Sequence, residues 1–124
     1  MNNLVLAYLG DAVYELYVRE FLIKNGLCKV KDLQKASINY VSALNQANIV
    51  DNLIEKGLLS ANEIDIVKRG RNAHSHQSKS VDIVTYKKST GFETLIGWLY
   101  MNDKKRLDEI MEEVLDEGIW KERL

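Results

Sequence analysis

Not one of the 124 residues is proline. A chain without proline is free to form long uninterrupted helices and poorly supplied for a strand-and-turn architecture. The apolar spacing uses that freedom. From Leu4 to Ile23 apolar residues recur too densely for a surface helix, which predicts a central, largely buried first helix ending near Gly26. A second helical region is expected from about Lys31, with Ile38, Val41, Leu44, Ala47, Val50 and Leu53 at three-residue steps before Gly57. Ser60 and Glu63 have the spacing of a capping box and open a short helix ending at Gly70. The polar run Arg71 to Ser80 reads as a loop. A further helix is predicted from Val81 or Asp82 to Met101. Asp103 caps a last one, whose stripe is Leu107, Ile110, Met111, Val114 and Leu115. The expected fold class is all-α, a helical bundle, and the length suits a single domain over 1–124.

Composition excludes several classes. With 46% hydrophobic and 28% charged residues, the chain has the profile of a soluble globular protein. No apolar run approaches the roughly 20 residues of a membrane span, and no signal peptide is evident. The single cysteine, Cys28, rules out an internal disulfide and a multi-cysteine metal site; it is expected to be a small buried or half-buried residue. A cytoplasmic location follows as the expectation. The net charge of −1 conceals a division: Lys68 to Lys88 carries +5 and the remainder −6, which suggests one face that meets a polyanion.

Two carboxylates fall where a bundle should be apolar. Asp11 stands among Leu6, Tyr8, Leu9, Ala12 and Val13, with Glu15 one turn later on the same side. Glu93 has a similar setting in TGFETLIGWLY, and Gly97 follows one turn on. A helix-interior glycine costs about 1 kcal/mol relative to alanine, which calls for another helix or a substrate passing close. A buried unpaired carboxylate costs several kcal/mol, so each needs a partner. Carboxylates on facing helices can hold Mg²⁺, a hard cation that takes oxygen ligands. Pairing with arginine or lysine across the bundle would satisfy them equally well, and both readings stand on pattern alone.

The run YLGDAVYEL, Tyr8 to Leu16, resembles the ribonuclease III signature, and FETLIGWLYMND, Phe92 to Asp103, resembles that family's second motif. Their order, separation and helical setting agree, and the resemblance covers nearly the whole chain. The GRNAHS and STGFE runs look like the bacterial Mini-ribonuclease III subfamily, which is a catalytic domain without a double-stranded-RNA-binding domain. The resemblance implies a ribonuclease III catalytic-domain bundle that forms a homodimer, with the RNA duplex in a valley along the interface. It implies cleavage with Mg²⁺, for which Mn²⁺ can substitute, and water, leaving 5′-phosphate and 3′-hydroxyl ends. It further implies a role in maturing the 23S ribosomal RNA precursor. Asp11 and Glu93 match the family's catalytic metal ligands. Two other carboxylates of the usual cluster are Ala7 and Thr90 here, losses that the subfamily shares. Glu15 and Thr90 are expected as auxiliary groups.

Affinity for RNA comes mostly from phosphate contacts, and A-form duplex is read mainly by shape. The expected RNA-binding residues are Arg69, Arg71, Asn72, His74, Ser75, Lys79, Lys87 and Lys88. His74 and His76 lack the accompanying ligands of a zinc site. The alternative function is a catalytically silent double-stranded-RNA-binding dimeric module that kept the fold after losing two carboxylates.

Overall fold

The computed structural model describes residues 1–73 and 82–116. They form α1 (Asn3–Lys24), α2 (Val30–Val41), α3 (Ala43–Glu55), α4 (Ala61–Arg71), α5 (Ile83–Asn102) and α6 (Lys104–Met111), followed by a π-helical turn at Glu112–Asp116. No strand occurs among the described residues, so the all-α expectation holds.

Local chemistry sets most boundaries. The capping box is present: the Ser60 hydroxyl accepts from the Glu63 amide and the Glu63 carboxylate accepts from the Ser60 amide. Asp82 accepts from the Thr85 amide and Asp103 from the Arg106 amide, starting α5 and α6. Gly26 closes α1 in the left-handed region, with the Leu27 amide reaching back to the Leu22 carbonyl.

Two boundaries differ from the sequence reading. The second helical region is two helices, broken at Ser42, whose hydroxyl accepts from the Asn45 amide and caps α3. Gly70 does not end α4, which runs on through Arg71. A Cβ built on Gly70 would meet the Thr94 side chain at 2.4 Å, so this glycine serves close packing against α5.

Helix α5 is the centre of the bundle, packed by α1, α3 and α4. Tyr14, Val18, Phe92, Leu95, Ile96 and Leu99 form the heart of the core, with the Tyr14 and Phe92 rings edge to face. The expected stripe of Leu107 through Leu115 is buried throughout. Cys28, by contrast, is exposed in the α1–α2 connection, because that turn lies outside the packed faces.

Arg106 ties α6 to the rest of the bundle. Its guanidinium donates to both Glu63 carboxylate oxygens at 2.8 and 2.9 Å and to the Leu58 carbonyl at 2.7 Å. The Glu63 side chain is only 7% exposed, so this pair is well shielded on the acidic side. The hydrogen bonds from Arg106 hold Glu63 below the usual carboxylate range. Its pairing therefore stabilises the fold above the unfolded pKa and is lost as pH falls through the lower folded value. Arg106→Met leaves the shielded Glu63 carboxylate without its counter-charge, with the Ser60 amide as its remaining described donor, and removes the guanidinium's bond to the Leu58 carbonyl; thermal melts at pH 7 are expected to show a loss of about 2–3 kcal/mol. The difference from wild type should shrink as pH falls through the lowered Glu63 value, where the pairing is lost in the wild type as well.

Candidate active site

The close approach of α1 and α5 depends on reciprocal glycines. A Cβ on Gly10 would lie 1.8 Å from the Glu93 carbonyl oxygen, and one on Gly97 would lie 2.0 Å from the Leu6 carbonyl oxygen. Each glycine thus admits the backbone of the other helix. Gly97 was expected to mark such an approach, and helix α1 is what passes there.

This contact sets Asp11, the neighbour of Gly10, against Glu93. Their carboxyl groups are hydrogen-bonded to one another. Glu93 is half-buried and Asp11 exposed, which corrects the expectation of two buried carboxylates. Asp11 stands at the border between the buried face of α1 and its outer face, so the pair opens to solvent on one side. Burial first, then the hydrogen bond with Asp11 and the charge of Asp11, push the Glu93 carboxyl up to about 8; the Gln46 amide opposes them. Two adjoining carboxyl groups make an all-oxygen donor set suited to a cation. Mg²⁺ commonly takes one or two carboxylates and retains several waters, so the residues present fit it. No group of three or more histidine, cysteine, aspartate or glutamate side chains suited to a metal occurs among the described residues.

Behind Glu93 lies a group that the sequence reading missed. Gln46 of α3 is 1% exposed. Its amide nitrogen donates to the Val41 carbonyl at 3.2 Å and, at the long end of the range, to Glu93 Oε2 at 3.5 Å. Its amide oxygen accepts from the Ser89 hydroxyl at 2.9 Å. A signal was available: Gln46 shares a helix face with Ile49, Val50 and Leu53, all buried, and a polar side chain on such a face needs partners.

The other candidate residues are distributed as follows. Glu15 makes an i,i+4 ion pair with Arg19 at 3.1 Å. Thr90 is buried and its hydroxyl donates to the Tyr86 carbonyl at 3.0 Å, one turn back along α5. Ala7, at the position of one missing carboxylate, is also buried. Arg69 pairs with Asp65 at 3.2 Å on the exposed side of α4. Arg71 and Asn72 are exposed where α4 ends, and the Arg71 stem lies against Gly91, one turn beyond the exposed Lys87. Lys88 is half-buried and pairs with Asp51 at 2.9 Å, so its charge is held by α3. His74, Ser75 and Lys79 lie outside the described residues.

The Ribonuclease III domain family matches residues 4–104. The chain belongs to the ribonuclease III family. Its relatives narrow the branch. It is 48% identical over 114 residues to the Mini-ribonuclease 3 of Brevibacillus brevis, covering 90% of this chain and 84% of that one. It is 42% identical over 113 residues to the Mini-ribonuclease 3 of Enterococcus faecalis, covering 90% and 86%. A crystal structure of a Fusobacterium nucleatum protein superposes with a TM-score of 0.81 at 27% identity, covering 95% of this chain and 94% of that one. The chain is thus a Mini-ribonuclease 3-type member, an endoribonuclease of double-stranded RNA, and the silent-module alternative is set aside. No described helix is long and apolar enough to cross a membrane.

Proposed function

We propose that this ribonuclease III-family enzyme cuts duplex RNA as a homodimer that uses Asp11 and Glu93 to hold Mg²⁺, with Mn²⁺ as a working substitute. The observation that carries this reading is the Asp11–Glu93 carboxyl pair, brought together by Gly10 and Gly97 and open on one side. When bound, the cation lowers the pKa of water and offsets charge on the phosphodiester oxygens under attack. The chain's own work is orientation. Asp11 and Glu93 would hold the cation, and the packed backbones of α1 and α5 keep both carboxylates fixed. Arg71, Asn72 and Lys87 supply phosphate contacts beside the site, and hydrolysis leaves 5′-phosphate and 3′-hydroxyl ends.

Dimerisation is supported by the outer face of α1. Val5, Tyr8, Ala12 and Leu16 follow one another at three- and four-residue steps, with Ile23 seven residues further on, and Tyr8 is 83% exposed. A stripe this apolar on a small protein marks an interaction surface. Asp11 borders it, so two copies joined along α1 bring their two sites to one groove, one site for each strand. Residues 1–124 then act as a single catalytic domain in the cytoplasm, with the 23S ribosomal RNA precursor as the substrate.

The test compares long duplex RNA with single-stranded RNA at low salt, in Mg²⁺ and in EDTA, for wild type and Leu16→Glu. Mg²⁺-dependent cutting of the duplex alone is the expected result. Leu16→Glu should sediment as a folded monomer and lose most of that activity. Cutting of both RNAs alike, or a fully active Leu16→Glu monomer, overturns the reading.

A further inference from the structure

Gln46 is the only polar side chain outside α1 and α5 that the described contacts bring to the carboxylate pair. Buried amides are rarely placed in a bundle core without need, because each unsatisfied donor or acceptor costs about 1–3 kcal/mol. Here every part of the amide is used. The Val41 carbonyl can only accept, which places the nitrogen on its side and fixes the orientation of the group. The nitrogen's second hydrogen then faces Glu93 Oε2, and the oxygen is left for the Ser89 hydroxyl. The α2–α3 break at Ser42 starts this geometry: it ends α2 at Val41, the carbonyl that anchors Gln46, and begins the helix that carries Gln46.

We infer that Gln46 is a positioning residue that holds the Glu93 carboxylate toward Asp11, with Ser89 holding Gln46 in turn. Where other carboxylates surround a cation, the loss of one orienting contact is shared among them. Here Ala7 and Thr90 stand at two of those positions, so fewer carboxylates share that work. The contact from the Gln46 amide nitrogen to Glu93 Oε2 thus does the work of orientation that a fuller ligand set spreads over several groups. The inference rests on the reading of Asp11 and Glu93 as the cation-holding pair.

The experiment measures Mn²⁺ binding to the RNA-free protein by titration calorimetry, together with kcat and KM on duplex RNA. The variants are Gln46→Leu, Gln46→Met and Ser89→Ala, with Asp11→Asn and Glu93→Gln as references. Loss of an orienting contact of this kind typically weakens metal affinity or activity by about 10–100-fold. That range is expected for Mn²⁺ affinity and kcat in both Gln46 variants, with KM for RNA within roughly twofold of wild type. Ser89→Ala should show a smaller loss in the same direction. Wild-type Mn²⁺ affinity and kcat in a folded Gln46 variant overturn the inference. If neither Gln46 variant folds, Ser89→Ala decides: weakened Mn²⁺ binding supports the role and unchanged binding rejects it. Mn²⁺ binding that survives in both Asp11→Asn and Glu93→Gln instead removes the carboxylate pair as the site, and the role of Gln46 with it.

Discussion

Gly97→Ala should be among the most damaging single methyl additions this protein can receive. The added carbon would sit 2.0 Å from the Leu6 carbonyl oxygen, 2.9 Å from its carbon and 3.1 Å from the Gly10 nitrogen. All three are backbone atoms of α1, so no side chain can turn aside and the two helices must separate. Overpacking ordinarily costs 1–3 kcal/mol and sometimes more. A backbone collision belongs at the upper end, at about 3 kcal/mol or beyond. For a chain of this size that lowers Tm by roughly 10 °C in a thermal scan. Activity should fall further than stability, because the same separation draws Asp11 away from Glu93. Gly26→Ala provides the contrast. Nothing lies within 4 Å of its Cβ, and only the positive φ of 98° penalises it. It should cost about 1 kcal/mol and leave cleavage near wild type.

Glu93→Gln is expected to separate stability from function. In the cation-free protein the Glu93 carboxyl titrates near 8, against an ordinary value of 4.5. Between those values the folded chain holds a proton that the unfolded chain has released, so stability falls as pH rises from about 4.5 to about 8. The amide has no such proton to lose. In EDTA, therefore, the wild-type Tm should decline across that window, and the decline should be much shallower in Glu93→Gln. At pH 8 the variant should be at least as stable as wild type. Cleavage should show the reverse. A bound cation supplies several kcal/mol of transition-state stabilisation, and losing a ligand that holds it corresponds to about 10³-fold or more in rate. A variant that loses both stability and activity would instead mark Glu93 as a structural residue.

Much of the fold was legible because caps and apolar faces are local signals. Ser60 with Glu63, Asp82 and Asp103 announce their helices through side chains that reach only three residues ahead. The α2–α3 break was missed for a geometric reason. Positions at three-residue steps advance 300° around a helix, so a series such as Ile38 to Leu53 drifts off any one face. In the structure Ile38 and Leu44 are more than half exposed, while Ala47, Val50 and Leu53 are buried. The single series belonged to two helices.

The site was legible in part. Gly97 signalled a close approach because glycine is disfavoured in a helix interior, although its partner could not be read. Asp11 was misjudged as buried because sequence neighbours on a helix point in all directions; Tyr8 and Ala12, which made its setting look apolar, are themselves exposed. Lys88 carries a charge that composition assigned to the basic stretch and that the fold gives to Asp51, 37 residues away. No local pattern contains that information.

The most direct measurement is single-turnover cleavage of a long duplex RNA in Mg²⁺ by Asp11→Asn, at matched dimer fraction and matched RNA occupancy. Asp11 is exposed, so its replacement leaves the core untouched. The carboxylate-pair account predicts that folding, dimer and RNA binding survive while the cutting rate drops by about 10³-fold or more. A rate within a few-fold of wild type would contradict it, and the cation would have to be held elsewhere in the molecule.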